Sequence, residues 1–186
     1  MKMYARYVDD GTVVCRSVPA EEAEPGQEMD ERTMKRLQSI GNSIHPSIQL
    51  TIDFPSKNEN HRIPILDTEQ WIEEVEVKGE RKTQVLYSHY TKPIANKHLI
   101  HRDSAIPTRS KLNILIADLV RITKNISRLC KPDERVTKVQ EFIHRIQYSG
   151  YSKRERAEVY TKAKNRYDKG VSDNAIGKVP MYRNKD

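Results

Sequence analysis

Near residue 105 the apolar residues of this chain change period. Before that point they tend to alternate, one in and one out; after it they recur every three to four positions. A period of two belongs to strands and a period of 3.6 to helices, so one half should build a sheet and the other a helical unit. The sequence therefore predicts an α+β fold with two parts, residues 1–105 and 106–169, and a polar, disordered tail over 170–186.

In the first part, residues 3–8 and 11–16 are rich in β-formers and flank Asp9 and Asp10. An acidic loop with two prolines follows over 17–27. Residues 28–41 read as one helix, with Met34, Leu37 and Ile40 at helical spacing and Gly41 as the stop. "SIQLTIDF", residues 47–54, alternates cleanly. It is predicted as a half-buried strand with Ile48, Leu50, Ile52 and Phe54 on one face. "RIPILDTEQWIEEVEV" and "TQVLYSHY" flank a polar turn near residues 78–82 and read as antiparallel strands. Trp71, Tyr87 and Tyr90 are expected in the core.

In the second part, Leu112, Leu115, Ile116, Leu119, Ile122 and Ile126 form one helical stripe. Pro132 and Asp133 start a second helix, with Val136, Val139, Phe142, Ile143 and Ile146 inward. "YSGYS", residues 148–152, interrupts it. Ser152 and Glu155 then stand at capping-box spacing before a third helix, whose apolar stripe is read as Ala157, Tyr160, Ala163 and Tyr167.

Charge follows the same division. Residues 1–106 hold 14 basic and 17 acidic side chains, a net of −3; residues 107–186 hold 19 and 9, a net of +10. Such asymmetry points the helical part toward a polyanion, nucleic acid above all. Its cations are Arg109, Lys111, Arg121 and Lys124, then Lys153, Arg154, Arg156, Lys162, Lys164 and Arg166. Long cations suit phosphate better than base edges, so backbone grip is expected ahead of sequence readout. No apolar run approaches the roughly 18 residues of a membrane span, and no signal peptide is visible. An intracellular location, nuclear or cytoplasmic, follows as an expectation. Cys15 and Cys130 fit no metal spacing, and His89, His98 and His101 lack acidic or thiol partners at ligand spacing.

Asp9 and Asp10 admit two readings. Asp10-Gly11 is a strong two-residue hairpin turn, because glycine accepts positive φ without cost. Alternatively, a hairpin tip holds two carboxylates at a sheet edge, as nucleotidyl transfer with two Mg²⁺ ions requires.

Tyr7-Val8-Asp9-Asp10 resembles the palm signature of reverse transcriptases. "RYVDDGTVV", a helix, "HPSIQLTIDF", "IPILDTEQWIE" and "VLYSHYTKP" follow in an order similar to the C-terminal palm of Penelope-like retroelement reverse transcriptases. "NKHLIHRDSAIP", residues 96–107, resembles the segment leading on to their helical thumb, also described as a helix-turn-helix region. The resemblance runs from about residue 3 to 168. It implies a partial antiparallel palm sheet with one packed helix, followed by a three-helix basic bundle.

The resemblance further implies RNA-directed DNA polymerase chemistry in the parent enzyme, with Asp9 and Asp10 as the catalytic, Mg²⁺-binding pair. Tyr7 is the aromatic before them, and Lys92 and Pro93 lie near the primer-holding side. The implied nucleic-acid contacts are Tyr7, Lys92, Arg109, Lys111, Lys153, Arg154, Lys162 and Lys164. The implied partners are an RNA–DNA hybrid or duplex backbone, and the N-terminal palm and fingers of the same polyprotein. Asp67 reads as structural, a turn acceptor. Two departures stand out. Gly11-Thr12 follow the aspartates where bulky apolar residues are usual. The family's other catalytic aspartate and its fingers lie earlier than the motif, so this chain is expected not to polymerise DNA alone. The rival readings are a non-catalytic helix-turn-helix nucleic-acid-binding protein derived from a retroelement, and a relic without function.

Overall fold

The computed structural model describes residues 3–7, 10–14, 28–58, 60–77, 79–92 and 99–173, the two N-terminal strands by their backbone pairing. The architecture is mixed α and β, with a three-stranded antiparallel sheet and four α-helices. Two compact units divide the chain, Met1–Ile63 and Pro64–Asp186, so the change of period near residue 105 falls inside the second.

In the first unit, β1 (Met3–Tyr7) and β2 (Asp10–Val14) form an antiparallel ribbon, and α1 spans Met29–Asn42. Asp30, in the first turn of α1, accepts from the backbone N–H and the hydroxyl of Ser56 at 2.8 and 2.7 Å, which ties the 3₁₀ turn Pro55–Lys57 to the helix. The strand expected over 47–54 does not form. Its alternation is real, but the described residues offer it no neighbouring strand, and α1 side chains take the backbone groups of Leu50 instead. Asn42 Oδ1 accepts from Leu50 N at 2.7 Å, and Gln38 Nε2 donates to Leu50 O at 2.6 Å. Without a ladder, Ile48 and Leu50 stay exposed, and so do Leu37 and Ile40 of the stripe expected to be buried on α1.

The sheet that follows runs β3 (Ile63–Ile65), β4 (Thr68–Val77) and β5 (Glu80–His89), in that spatial order, all but Ile63 in the second unit. Val77 pairs with Glu80, leaving a two-residue loop in which Gly79 takes φ +81°, a conformation that two-residue hairpins demand and glycine supplies. On β5, Leu86 and Ser88 are buried. Tyr87 is exposed, and Trp71 on β4 is only half-buried, its indole N–H bonded to Glu73 at 2.9 Å; neither reaches the core. The alternation placed Leu86 inward and so forced Tyr87 outward.

Three helices follow: α2 (Thr108–Lys124), α3 (Pro132–Tyr148) and α4 (Lys153–Asp173), the last reaching past the expected start of the tail. Their stripes meet in one core of Leu112, Leu115, Ile116, Leu119 and Ile122 from α2, Val139, Phe142 and Ile146 from α3, and Val159, Ala163 and Tyr167 from α4. Two stripes differ from expectation: Val136 of α3 is half-buried and outside this core, and the stripe of α4 is shifted. Val159, not Ala157, faces inward, because 159, 163 and 167 repeat every four residues and Ala157 lies off that line. Burial of these side chains at about 25 cal/mol per Å² is the main force holding the helices together. The sheet joins the helices through Ser88, whose hydroxyl donates to Glu134 at 2.7 Å, and through Ser127 N, which donates to Tyr87 O at 2.7 Å. Asp67 does act structurally, but at long range. Its carboxylate accepts from Arg121 at 2.5 Å and Asn125 at 2.7 Å. Among the described residues no helix is long and apolar enough to cross a membrane.

Candidate nucleic-acid interface

The start of α2 and the middle of α4 lie side by side because their apolar stripes pack on each other. The residues flanking those stripes therefore line a shared open groove. Arg109 and Asn113, one turn apart on α2, face Glu158, Lys162, Asn165 and Arg166 on α4. Arg109 and Lys162 are distant in sequence; helix packing brings them together. Arg109, Lys162 and Arg166 are exposed, and Lys162 is paired with Glu158 at 2.6 Å. The helix α2 starts at the groove with Pro107 as its cap, no side-chain cap and no acidic residue in its first turn. The N–H groups of that turn therefore add the positive end of the helix dipole to the three cations. The arrangement can hold phosphate oxygens, with guanidinium forks giving bidentate bonds and two amides adding neutral donors.

The other expected cations are placed differently. Lys153 and Arg154 are exposed in the first turn of α4. Lys164 is half-buried and pairs with Asp168 at 2.7 Å, on a side of α4 away from the groove lining. Lys111 does not face solvent at all. It is 2% exposed, and its ammonium donates to the carbonyls of Arg102 and Ser104. Helical spacing explains the correction: Lys111 directly precedes the core residue Leu112, so a long side chain there turns under the preceding segment. Lys92 is exposed beyond the end of β5. Asn113 and Asn165 were missed by sequence reasoning. Asn113 stands four residues after Arg109 and Asn165 three after Lys162, a helical repeat that marks them once the groove is known.

At the N-terminal ribbon, Tyr7 pairs with Asp10 and Met3 with Val14. Gly11 therefore lies within β2 opposite Arg6, which corrects the expected Asp10-Gly11 turn. A loop at Asp10-Gly11 would move the pairing partner of Met3 on to Val18, beside Pro19, which cannot donate to a ladder. The backbone of Asp10 opens β2 beside the tip. Asp9 itself, and the side chains of Tyr7 and Asp10, lie outside the described residues, as do His98 and Pro93. Among the described residues no three His, Cys, Asp or Glu side chains are grouped to hold a metal ion.

Comparison of the chain with protein-family models, with curated proteins and with solved structures finds no match.

Proposed function

We propose that the helical unit α2–α4 grips the sugar–phosphate backbone of nucleic acid, RNA–DNA hybrid or duplex, within a reverse transcriptase resembling those of Penelope-like retroelements. The observation that carries the binding reading is the groove in which Arg109, Lys162 and Arg166 converge at the uncapped start of α2. The polymerase setting rests on the order of motifs in the sequence. In that setting Asp9 and Asp10 would hold Mg²⁺ at the ribbon tip, where the ions would stabilise the attacking and leaving oxygens of nucleotidyl transfer. Two carboxylates are part of the donor set such ions need, so this chain is proposed to be inactive by itself. Mg²⁺-dependent primer extension by the pure protein, abolished by Asp9→Ala, would overturn that statement.

The binding test is a salt titration. Labelled RNA–DNA hybrid and DNA duplex should bind with a log affinity that falls linearly with log salt, and each of Arg109→Gln, Lys162→Gln and Arg166→Gln should lower the slope by about one. A salt-independent affinity, or slopes untouched by all three changes, would defeat the reading.

A second reading is favoured by one feature. Residues 149–152 join α3 to α4 in a short turn that contains a glycine, Gly150 at φ +88°, as helix-turn-helix turns often do. A sequence reader of that kind would keep one preferred site at moderate salt, where a backbone grip has none.

A further inference from the structure

The turn between α3 and α4 carries two tyrosines in opposite environments. Tyr151 is 3% exposed, and its hydroxyl donates to Ile100 O at 2.9 Å. Tyr148 is 81% exposed, the most exposed large apolar or aromatic side chain among the described residues. An aromatic ring left in water forgoes its burial energy, and nothing in the packing of the helices needs it there. His144, four residues earlier, is exposed on the same side of α3. His101, also exposed, lies against the turn: a Cβ at Gly150 would stand 3.3 Å from its Nε2. Beyond the turn α4 opens with Lys153 and Arg154, both exposed. Three rings and two cations thus surround one turn.

That turn is held from several sides. Arg102 N donates to Ser149 O at 2.9 Å, Leu99 N to Ser149 Oγ at 3.2 Å, and Arg102 Nε to Glu155 at 2.5 Å. Its rings are therefore presented on a fixed base, which limits the ordering entropy lost when a flat ligand stacks on them. Flat rings beside long cations suit unpaired bases, each of which offers a π-face while its phosphate meets a cation.

We propose that this turn is a stacking platform for unpaired bases, with Tyr148 as its main ring, so that the helical unit favours nucleic acid with a single-stranded end or junction over blunt duplex. The proposal rests on the backbone-binding reading and specifies its ligand. Arg154, Glu158 and Lys162 follow at four-residue steps from the turn to the groove. Arg154 and Arg166 are separated by about 18 Å along α4 at 1.5 Å per residue. That is the rise of about five stacked nucleotides, so one strand can reach both places.

The test uses the full chain, a blunt DNA duplex, and the same duplex with a short single-stranded overhang, read by fluorescence anisotropy at one salt concentration. The overhang should tighten binding about five-fold or more. Tyr148→Ala should erase that gain and leave the blunt affinity in place, while Tyr148→Phe should keep it. The side chain is exposed, so neither change opens the core. If blunt duplex binds but the overhang adds nothing, or adds as much in Tyr148→Ala, the platform is refuted and the backbone reading stands. A gain lost equally in Tyr148→Phe would also refute stacking, because the ring is retained. Binding to neither duplex would sink both readings.

Discussion

The ammonium of Lys111 donates to the carbonyl oxygen of Ser104 at 2.9 Å and to that of Arg102 as well. A residue expected to reach for phosphate instead clamps the segment that precedes its own helix. Replacing Lys111 with Met keeps the apolar stem and removes both donors. Leaving two sheltered carbonyls without a donor should cost about 2–4 kcal/mol, measured by urea unfolding. The salt slope of nucleic-acid binding should stay unchanged in Lys111→Met, in contrast to Arg109→Gln. A slope reduced by one with stability intact would return Lys111 to the contact surface.

Ser152 and Glu155 cap α4 reciprocally. Ser152 N donates to Glu155 Oε2 at 2.9 Å and Glu155 N donates to Ser152 Oγ at 3.3 Å. The bond from the Ser152 backbone holds the Glu155 carboxyl below its ordinary value of 4.5, aided by the Ser152 hydroxyl and Arg102 and opposed by burial. A carboxylate with a lowered folded pKa contributes stability that is full above the unfolded value and disappears as pH falls through the folded one. Glu155→Ala should therefore cost about 1–2 kcal/mol at neutral pH. The gap to the unsubstituted protein should narrow on acidification below about pH 4.5. A gap that stays constant from pH 7 to pH 3 would contradict the cap as the source of the loss.

At Gly150, φ +88° and close neighbours act together. A Cβ there would stand 3.3 Å from His101 Nε2 and 3.4 Å from Arg102 Cβ. Gly150→Ala should lower stability by about 1–2 kcal/mol from the backbone conformation alone. Thermal denaturation of the variant beside Gly79→Ala, where φ is +81° and nothing lies within 4 Å, separates the two contributions. Equal losses would show that the contacts at Gly150 give way freely.

Local chemistry was legible in the sequence where a few neighbouring residues decide the outcome. Ser152 and Glu155 announced their cap by spacing, and Leu112 to Ile122 their buried stripe. The polar turn read over residues 78–82 announced the hairpin, although residues 80–82 pair within β5, which begins at Glu80. The reading failed where a distant partner decides. Residues 47–54 alternate like a strand, yet a strand needs a neighbour, and Asn42 and Gln38 took the backbone groups of Leu50 instead. Lys111 looked like any surface cation, since only the folded path of residues 102–104 puts carbonyls over it. The groove was half-legible: its cations stood out by charge, but the pairing of Arg109 with Lys162 depends on how α2 meets α4. The Asp10-Gly11 turn, one of the two readings of the ribbon, failed because Gly11 signals a turn locally while the five-rung ladder, which sets Gly11 opposite Arg6, is settled by the whole strand pair.

His89 closes β5 in a setting that disfavours its charge. It is 8% exposed, its Nδ1 has no hydrogen-bond partner among the described residues, and Nε2 lies 3.5 Å from Thr91 Oγ1. Burial pushes its pKa below the ordinary 6.5, Arg121, Lys138 and Arg145 push the same way, and Asp67 pushes back. The unfolded chain thus binds a proton at a pH where the folded one still refuses it. Stability from the neutral ring is full above pH 6.5 and falls as pH drops from there toward the lowered folded value. Unfolding free energy should decline from about pH 7 to pH 5, and His89→Gln, which cannot titrate, should flatten that decline while costing stability at pH 7. Asp67→Asn should steepen it, because the opposing charge that favours protonation in the folded state is gone. A decline of the same steepness in His89→Gln would assign the pH response to another group.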